Sequence, residues 1–409
     1  MEPARVVIVG AGLAGLRTAE RLRRGGYDGT LTLVGAEAHL PYDRPPLSKA
    51  LLAASDEPAT PLLRARERYD ELALDLRLGV RAVSLGEGVV TLSDGSEVGW
   101  DQLVVATGLV ARTVPGWAGT AGVHTLRTFD DCLSLRAAAA GARHATVVGA
   151  GVLGSEIAGS LRARGLDVAL VDPLPQPLCR VVGEEVGAVV ADLHRSAGVT
   201  LHLGRSVASL SSSEGRVSGV VLDDGSSWAT DLVVTAVGGA PDLDWLSGSG
   251  LTLDDGVVVD VHGAASVPGV WAVGDVAAVA DPRGAGRLRI EHWTAAGDLA
   301  ATVAANVLAT LRGEAPKAHT ELPYMWSDQY ATKVQCLGLP RPGDELVVLT
   351  GALTDGAFLA AHVADGRVRA VSAAGMPAAL MRCRGAVAAA VPVEELVALA
   401  PWERKKVSA

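Results

Sequence analysis

Two copies of one glycine pattern constrain this chain more than any other feature. Gly10-Ala11-Gly12-Leu13-Ala14-Gly15 follows the apolar run Arg5-Val6-Val7-Ile8-Val9, and Gly149-Ala150-Gly151-Val152-Leu153-Gly154 follows Ala145-Thr146-Val147-Val148. Each copy reads as a strand, a tight turn and the start of a helix. The first glycine makes the turn, the second lets backbone approach a pyrophosphate, and the third lets the helix pack on the strand. Helix N-terminal N–H groups and the helix dipole then favour the phosphate charge. Two such units predict two bound dinucleotides and a redox relay between them.

The segments downstream of each pattern also repeat. A helix is expected from Leu13 to about Arg24, stopped by Gly25-Gly26, and then a strand over Thr30-Leu31-Thr32-Leu33-Val34. Val89 to Ser96 reads as half a hairpin with an Asp-Gly turn, and Leu103-Val104-Val105-Ala106-Thr107-Gly108 as a buried strand ending on glycine. Val168–Asp172, Val220–Gly225 and Leu232–Gly238 repeat that order in the second half, so a nucleotide-binding unit is duplicated within the chain. Val270-Trp271-Ala272-Val273-Gly274-Asp275 is a further strand-to-glycine turn, and the alanine-rich stretch Ala295 to Leu311 is expected to be a helix. The prolines of Pro41-Tyr42-Asp43-Arg44-Pro45-Pro46-Leu47-Ser48-Lys49 are expected to hold that loop out of regular structure. Beyond Pro316, clustered Tyr324, Trp326 and Tyr330 and strands such as Glu345–Leu349 predict a small α+β domain on an otherwise α/β chain.

With 409 residues, 49% of them hydrophobic, the chain has room for two or three cored domains. Its net charge of −10 argues against nucleic-acid binding, which needs a basic footprint. The bases Lys333, Arg341, Arg367, Arg369, Arg382, Arg384, Arg404, Lys405 and Lys406 bring the C-terminal part close to balance. Cys132, Cys179, Cys336 and Cys383 are far apart, so neither a metal site nor a redox disulfide is expected; they fit buried thiols in a reducing compartment. The start, Met1-Glu2-Pro3-Ala4-Arg5, has no signal-peptide pattern, and no run of 18 apolar residues suggests a membrane span. A cytoplasmic protein, monomeric or weakly dimeric, is expected.

Several residues carry the site chemistry. Asp172 ends the strand after the second fingerprint, where a carboxylate accepts from a ribose 2′-OH and repels a 2′-phosphate; this favours NADH over NADPH. The alternative is a solvated strand-end carboxylate. In the first unit the strand ends Val34-Gly35-Ala36-Glu37, and Glu37 is assigned to the adenosine ribose of FAD. Gly274-Asp275, with Ala106-Thr107-Gly108 and the first fingerprint, points to FAD, the Asp reaching the ribityl chain or pyrophosphate. Lys49 and Glu156 form a candidate pair facing the flavin–nicotinamide contact, where charge orients the nicotinamide for hydride transfer. The alternative is that both are surface residues.

Taken together the chain resembles the FAD-dependent ferredoxin reductases of oxygenase electron-transfer systems. The resemblance rests on Gly10–Gly15, Arg44–Lys49, Ala106–Gly108, Gly149–Glu156, Gly274-Asp275, Glu291-His292-Trp293 and Trp326-Ser327-Asp328-Gln329-Tyr330. It implies a glutathione-reductase-like flavoprotein fold with two Rossmann-like domains. FAD would bind residues 1–111 and 241–317, and NADH residues 112–240; residues 318–409 would form an α+β interface domain that helps dock a [2Fe–2S] ferredoxin. By motif match, Ala14, Lys49, Ala82, Arg127, Asp275 and Trp293 are the implied FAD contacts, Trp293 chiefly through its backbone N–H. Gly238, His292, Arg180 and Trp326 fall at matching cofactor positions. The chain departs from the family at Ala36, where an acid is usual, at Gln176, where Arg is common, and at Asp242, which replaces an Asn.

The implied activity is hydride transfer from NADH to FAD, then single electrons to a [2Fe–2S] ferredoxin supplying a cytochrome P-450 type monooxygenase or a ring-hydroxylating dioxygenase. The cysteine pair of a disulfide reductase is missing from the proline loop. A basic face including Arg312, Arg341, Arg382 or Arg384 would receive an acidic ferredoxin. Rubredoxin reductase, NADH oxidase and a redox-sensing flavoprotein that binds a partner remain as rivals, since fold alone does not separate them.

Overall fold

The structure, a computed structural model, describes residues 4–281 and 286–403. Met1, Glu2 and Pro3 of the expected start and the bases Arg404, Lys405 and Lys406 lie outside the described residues. The chain divides into two compact units, one made of Met1–Asp43, Ala59–Val110 and Gly239–Glu321, the other of Arg44–Pro58, Ala111–Gly238 and Leu322–Ala409.

The first unit is built on a five-stranded parallel sheet in the order 75–78, 31–35, 6–9, 102–105, 270–272. Val6–Val9 is buried at every position, as a parallel strand covered on both faces must be. Helix Leu13–Arg24 ends at Gly25 and packs beside helix Trp293–Arg312. Ile8, Leu22, Leu103, Val303 and Val307 form the core between sheet and helices. An antiparallel ribbon, 82–86, 89–92 and 97–99, lies apart from that sheet, with the Asp94-Gly95 turn in its second hairpin. Helix Trp293–Arg312, slightly longer than expected, is long and apolar enough by composition to cross a membrane. Its Ala296, Leu299, Ala300, Val303, Ala304 and Val307 are instead spent on this core.

The second unit repeats the sheet: 200–203, 167–172, 144–148, 232–235, 123–124, all parallel. The first four strands correspond one to one with those of the first unit. The fifth comes from a late strand in one unit and an early strand in the other. A three-stranded ribbon, 207–213, 216–222 and 227–229, is added to it. The C-terminal part is a five-stranded antiparallel sheet, ordered 324–329, 332–338, 367–374, 357–364, 345–352, with helices Pro377–Arg382, Arg384–Ala389 and Val393–Leu399.

Two local expectations are corrected. The proline loop is not irregular throughout: Pro45–Ser48 forms a 3₁₀ turn that runs into helix Ala50–Ala53. Prolines in a first turn lack only N–H groups that have no helical partner anyway. Cys132, Cys336 and Cys383 are buried, but Cys179 is only half-buried, because it opens the short helix Cys179–Val182 near the surface.

Candidate functional site

The two glycine turns use their three glycines identically. Gly10 and Gly149 have φ of +120° and +105°, and a Cβ on either would overlap the carbonyl of Ala106 or Ala236. A Cβ on Gly15 or Gly154 would overlap the carbonyl of Gly10 or Gly149. A Cβ on Gly12 or Gly151 would meet nothing within 4 Å. The outer glycines are therefore required by packing, while the middle one faces space that a phosphate can enter.

Both helices start without a side-chain cap and without an acid in the first turn. Helix Phe129–Gly141 contrasts with them: Thr128 and Asp131 close a capping box, and Asp130 and Asp131 sit in its first turn. Its N-terminal donors are satisfied from within. The glycine helices have no such side-chain cap, an arrangement that suits an external anion.

Around the first turn the structure brings Ala14, Thr107 and Gly274 together. Gly274, φ +73°, opens the 3₁₀ turn Gly274–Val276, and a Cβ on it would stand 3.0 Å from the Ala14 methyl. Gly274-Asp275 thus abuts the glycine turn at Ala14. The Thr107 hydroxyl is buried with no partner, and Gly108 comes next at φ +67°. A buried orphan hydroxyl beside an open glycine cradle fits a bound dinucleotide. Burial pushes the His292 pKa down, and the Asp275 carboxylate partly offsets this. The Trp293 indole N–H donates to Asp43 Oδ1 at 2.7 Å, and its helix also begins without a side-chain cap or an acid. Glu37 accepts from the Tyr42 hydroxyl. Ala82 starts the antiparallel ribbon, paired with Leu92, rather than joining the parallel sheet. Arg127 belongs to the second unit, where its carbonyl accepts from the Arg44 guanidinium and its N–H donates to Asp131.

In the second unit Asp172 is buried, its Oδ2 accepting from Ala150 N–H at 2.6 Å and its Oδ1 from Leu174 N–H at 2.7 Å. It is therefore a brace of the glycine turn as well as the acid nearest to it in the expected position. Each carboxylate oxygen keeps acceptor capacity for a further donor. Gly238, φ +95°, has open space where a Cβ would stand. Arg180 is exposed on helix Cys179–Val182, and Gln176 Oε1, in the same loop, is buried without a partner. Trp326 lies on the C-terminal strand Tyr324–Gln329, with the Lys333 ammonium 5.9 Å from its ring centroid.

Lys49 and Glu156 do meet. Lys49 Nζ lies 2.9 Å from Glu156 Oε2, with side chains 21% and 4% exposed. The Ser48 hydroxyl donates to the same oxygen at 2.6 Å, and the Ser327 hydroxyl donates to Oε1 at 2.7 Å. A buried carboxylate with a cation and two hydroxyl donors is a satisfied, fixed charge. Sequence reasoning missed Ser48 and Ser327 as site residues. The only signals were adjacency to Lys49 and to Trp326, which say nothing about a shared carboxylate.

A family profile described as pyridine nucleotide-disulphide oxidoreductase matches residues 4–300, and one described as reductase C-terminal matches residues 324–401. The chain is similar to the ferredoxin reductase component of chlorobenzene dioxygenase from Cupriavidus sp. (strain PS12), 38% identical over 91% of this chain and 89% of the relative. Among solved structures it is similar to the ferredoxin reductase for the CYP199A2 system from Rhodopseudomonas palustris, with TM-score 0.91 and 33% identity over 99% of this chain and 100% of that one. It is also similar to the covalent putidaredoxin reductase–putidaredoxin complex, with TM-score 0.89 and 32% identity over 97% of this chain and 96% of that one.

Proposed function

The chain belongs to the pyridine nucleotide-disulphide oxidoreductase family, and on that premise we propose that it is an NADH-dependent ferredoxin reductase. The observation that carries this reading is the pair of glycine cradles, each open at its middle glycine and each at an uncapped helix, in a chain matched end to end by ferredoxin reductases. FAD, when bound, supplies acceptance of a hydride and release of its electrons one at a time.

The chain's own residues divide the work. Gly12, with Gly10 and Gly15 shaping the turn, admits the FAD pyrophosphate; Thr107 and Asp275 offer polar groups to the same ligand. Glu37 serves the adenosine ribose in place of an acid at Ala36. Gly151 and Gly238 admit NADH, and Asp172 favours the 2′-OH over a 2′-phosphate. Lys49 and Glu156 supply fixed charge that orients the nicotinamide. The FAD part comprises residues 1–111 and 241–317, the NADH part 112–240, and residues 318–409 receive a [2Fe–2S] ferredoxin. The terminal enzyme is a dioxygenase or a cytochrome P-450, and the reductase works as a cytoplasmic monomer or weak dimer.

The test is NADH-dependent reduction of a [2Fe–2S] ferredoxin by the purified yellow protein, with ferredoxin-free and NADPH controls. Fast reduction that requires both NADH and ferredoxin is expected. Rapid peroxide formation without any carrier identifies an NADH oxidase instead, and turnover only with rubredoxin identifies a different acceptor.

A further inference from the structure

The hydroxyl on Glu156 Oε1 comes from the C-terminal strand, not from the glycine-turn helix or the proline loop. Ser327 is fully buried, and it accepts from Gln329 Nε2 at 2.8 Å. The direction of this chain is fixed by chemistry. An ionised carboxylate only accepts, so Ser327 must spend its single proton on Glu156 and receive its own hydrogen bond from the Gln329 amide. Gln329 Oε1 is buried without a partner, so the amide is turned toward Ser327 at the expense of its own oxygen. Three segments distant in sequence thus converge on one carboxylate: Ser48 and Lys49, helix Val152–Ala163, and strand Tyr324–Gln329.

We infer that Ser327, backed by Gln329, is a positioning residue for hydride transfer: it fixes the Glu156 carboxylate, and through it the Lys49 ammonium. This inference rests on the role proposed above for Lys49 and Glu156. Without the Ser327 hydroxyl, the buried carboxylate loses the donor to Oε1 and is free to turn about its remaining partners on Oε2. A charge that wanders aligns the nicotinamide less often, which lowers the rate at saturating NADH more than it weakens NADH binding.

The test is stopped-flow bleaching of the FAD-loaded protein by NADH in Ser327→Ala, Ser327→Thr, Gln329→Met, Glu156→Ala and the Ser327→Ala/Glu156→Ala double variant. Ser327→Ala is expected to slow bleaching at saturating NADH about tenfold, with the half-saturating NADH concentration shifted less than about twofold. Ser327→Thr restores the rate, and Gln329→Met slows it less than Ser327→Ala does. In the double variant the loss is no greater than in Glu156→Ala alone. Melting temperatures of the same cycle in FAD-free protein are expected to be non-additive as well, which reads the Ser327–Glu156 coupling without any turnover. If Glu156→Ala slows bleaching but Ser327→Ala does not, or if the two losses multiply, the Ser327 inference fails and the Glu156 role stands. If Glu156→Ala leaves bleaching unchanged, the Glu156 role fails and takes the inference with it.

Discussion

The two parallel sheets share the order of four strands, glycine turns and uncapped helices, yet they treat the end of their second strand in opposite ways. Gly10 N–H bonds to the Val34 carbonyl and Gly149 N–H to the Val171 carbonyl, so Gly35 and Asp172 occupy the same place in the fold. In the second unit that place holds a buried carboxylate bound to Ala150 N–H. In the first it holds a glycine, and a Cβ there would come within 2.7 Å of the Ala11 methyl and 2.9 Å of Leu78 Cδ2. The nearest acid is displaced two residues on, to Glu37. One duplicated scaffold therefore ends its second strand in two different ways. The difference lies in how tightly the neighbouring strand and the glycine turn approach the strand end.

The comparison breaks first at the glycines. Gly15→Ala forces a methyl into the Gly10 carbonyl and is expected to give colourless protein without FAD, whereas Gly154→Ala stays yellow and loses NADH bleaching by about a hundredfold or more. Loss of FAD from both variants would show that the units are not separately loaded. Gly35→Asp, which transplants the second unit's acid into the first, is expected to be colourless too, because the space beside Ala11 is closed.

Acid distinguishes the units next. Burial lowers the pKa of His292 and His319 in the first unit, and in the second it pushes those of His194 and His362 down as far as about 4. The unfolded chain takes up these protons near pH 6.5, the folded one only near 4, so the unfolded state binds more protons in between. Stability is full above about 6.5 and falls as pH drops toward 4, by about 2 kcal/mol per histidine at pH 5. Hydrogen exchange, corrected for intrinsic rates, is expected to show helix Glu184–Ser196 and strand Ala357–Ala364 losing protection between pH 7 and 5 before Val6–Val9 does.

Asp172→Ala is expected to lower kcat/KM for NADH about tenfold and to narrow the preference over NADPH, since it removes both the acid and the brace on Ala150. An unchanged NADH to NADPH ratio would place cofactor choice elsewhere. Glu37→Gln should have the smallest effect. The amide oxygen still accepts from the Tyr42 hydroxyl, so FAD affinity, read by titration of the apoprotein, is expected to fall only about threefold.

Legibility followed the range of the interaction. Helix Leu13–Arg24, strand Leu31–Gly35 and the Asp94-Gly95 turn stand where local pattern placed them, within a residue. The Lys49–Glu156 pair was inferable from charge and motif, and the structure brings its members to 2.9 Å. The 3₁₀ turn at Pro45–Ser48 was misread because proline rules out an extended ladder but not a first helical turn.

By itself, the sequence determined the duplication, the two cradles and the residue types around them, because strand period and the steric demands of glycine act over a few neighbouring residues. The tertiary structure alone decided that Asp172 braces its own turn, that Gly35 has no room for an acid, and that Ser327 reaches Glu156 from 171 residues away. Those facts depend on which segments pack together and how closely, and no local pattern encodes a distance between strands that are remote in the chain.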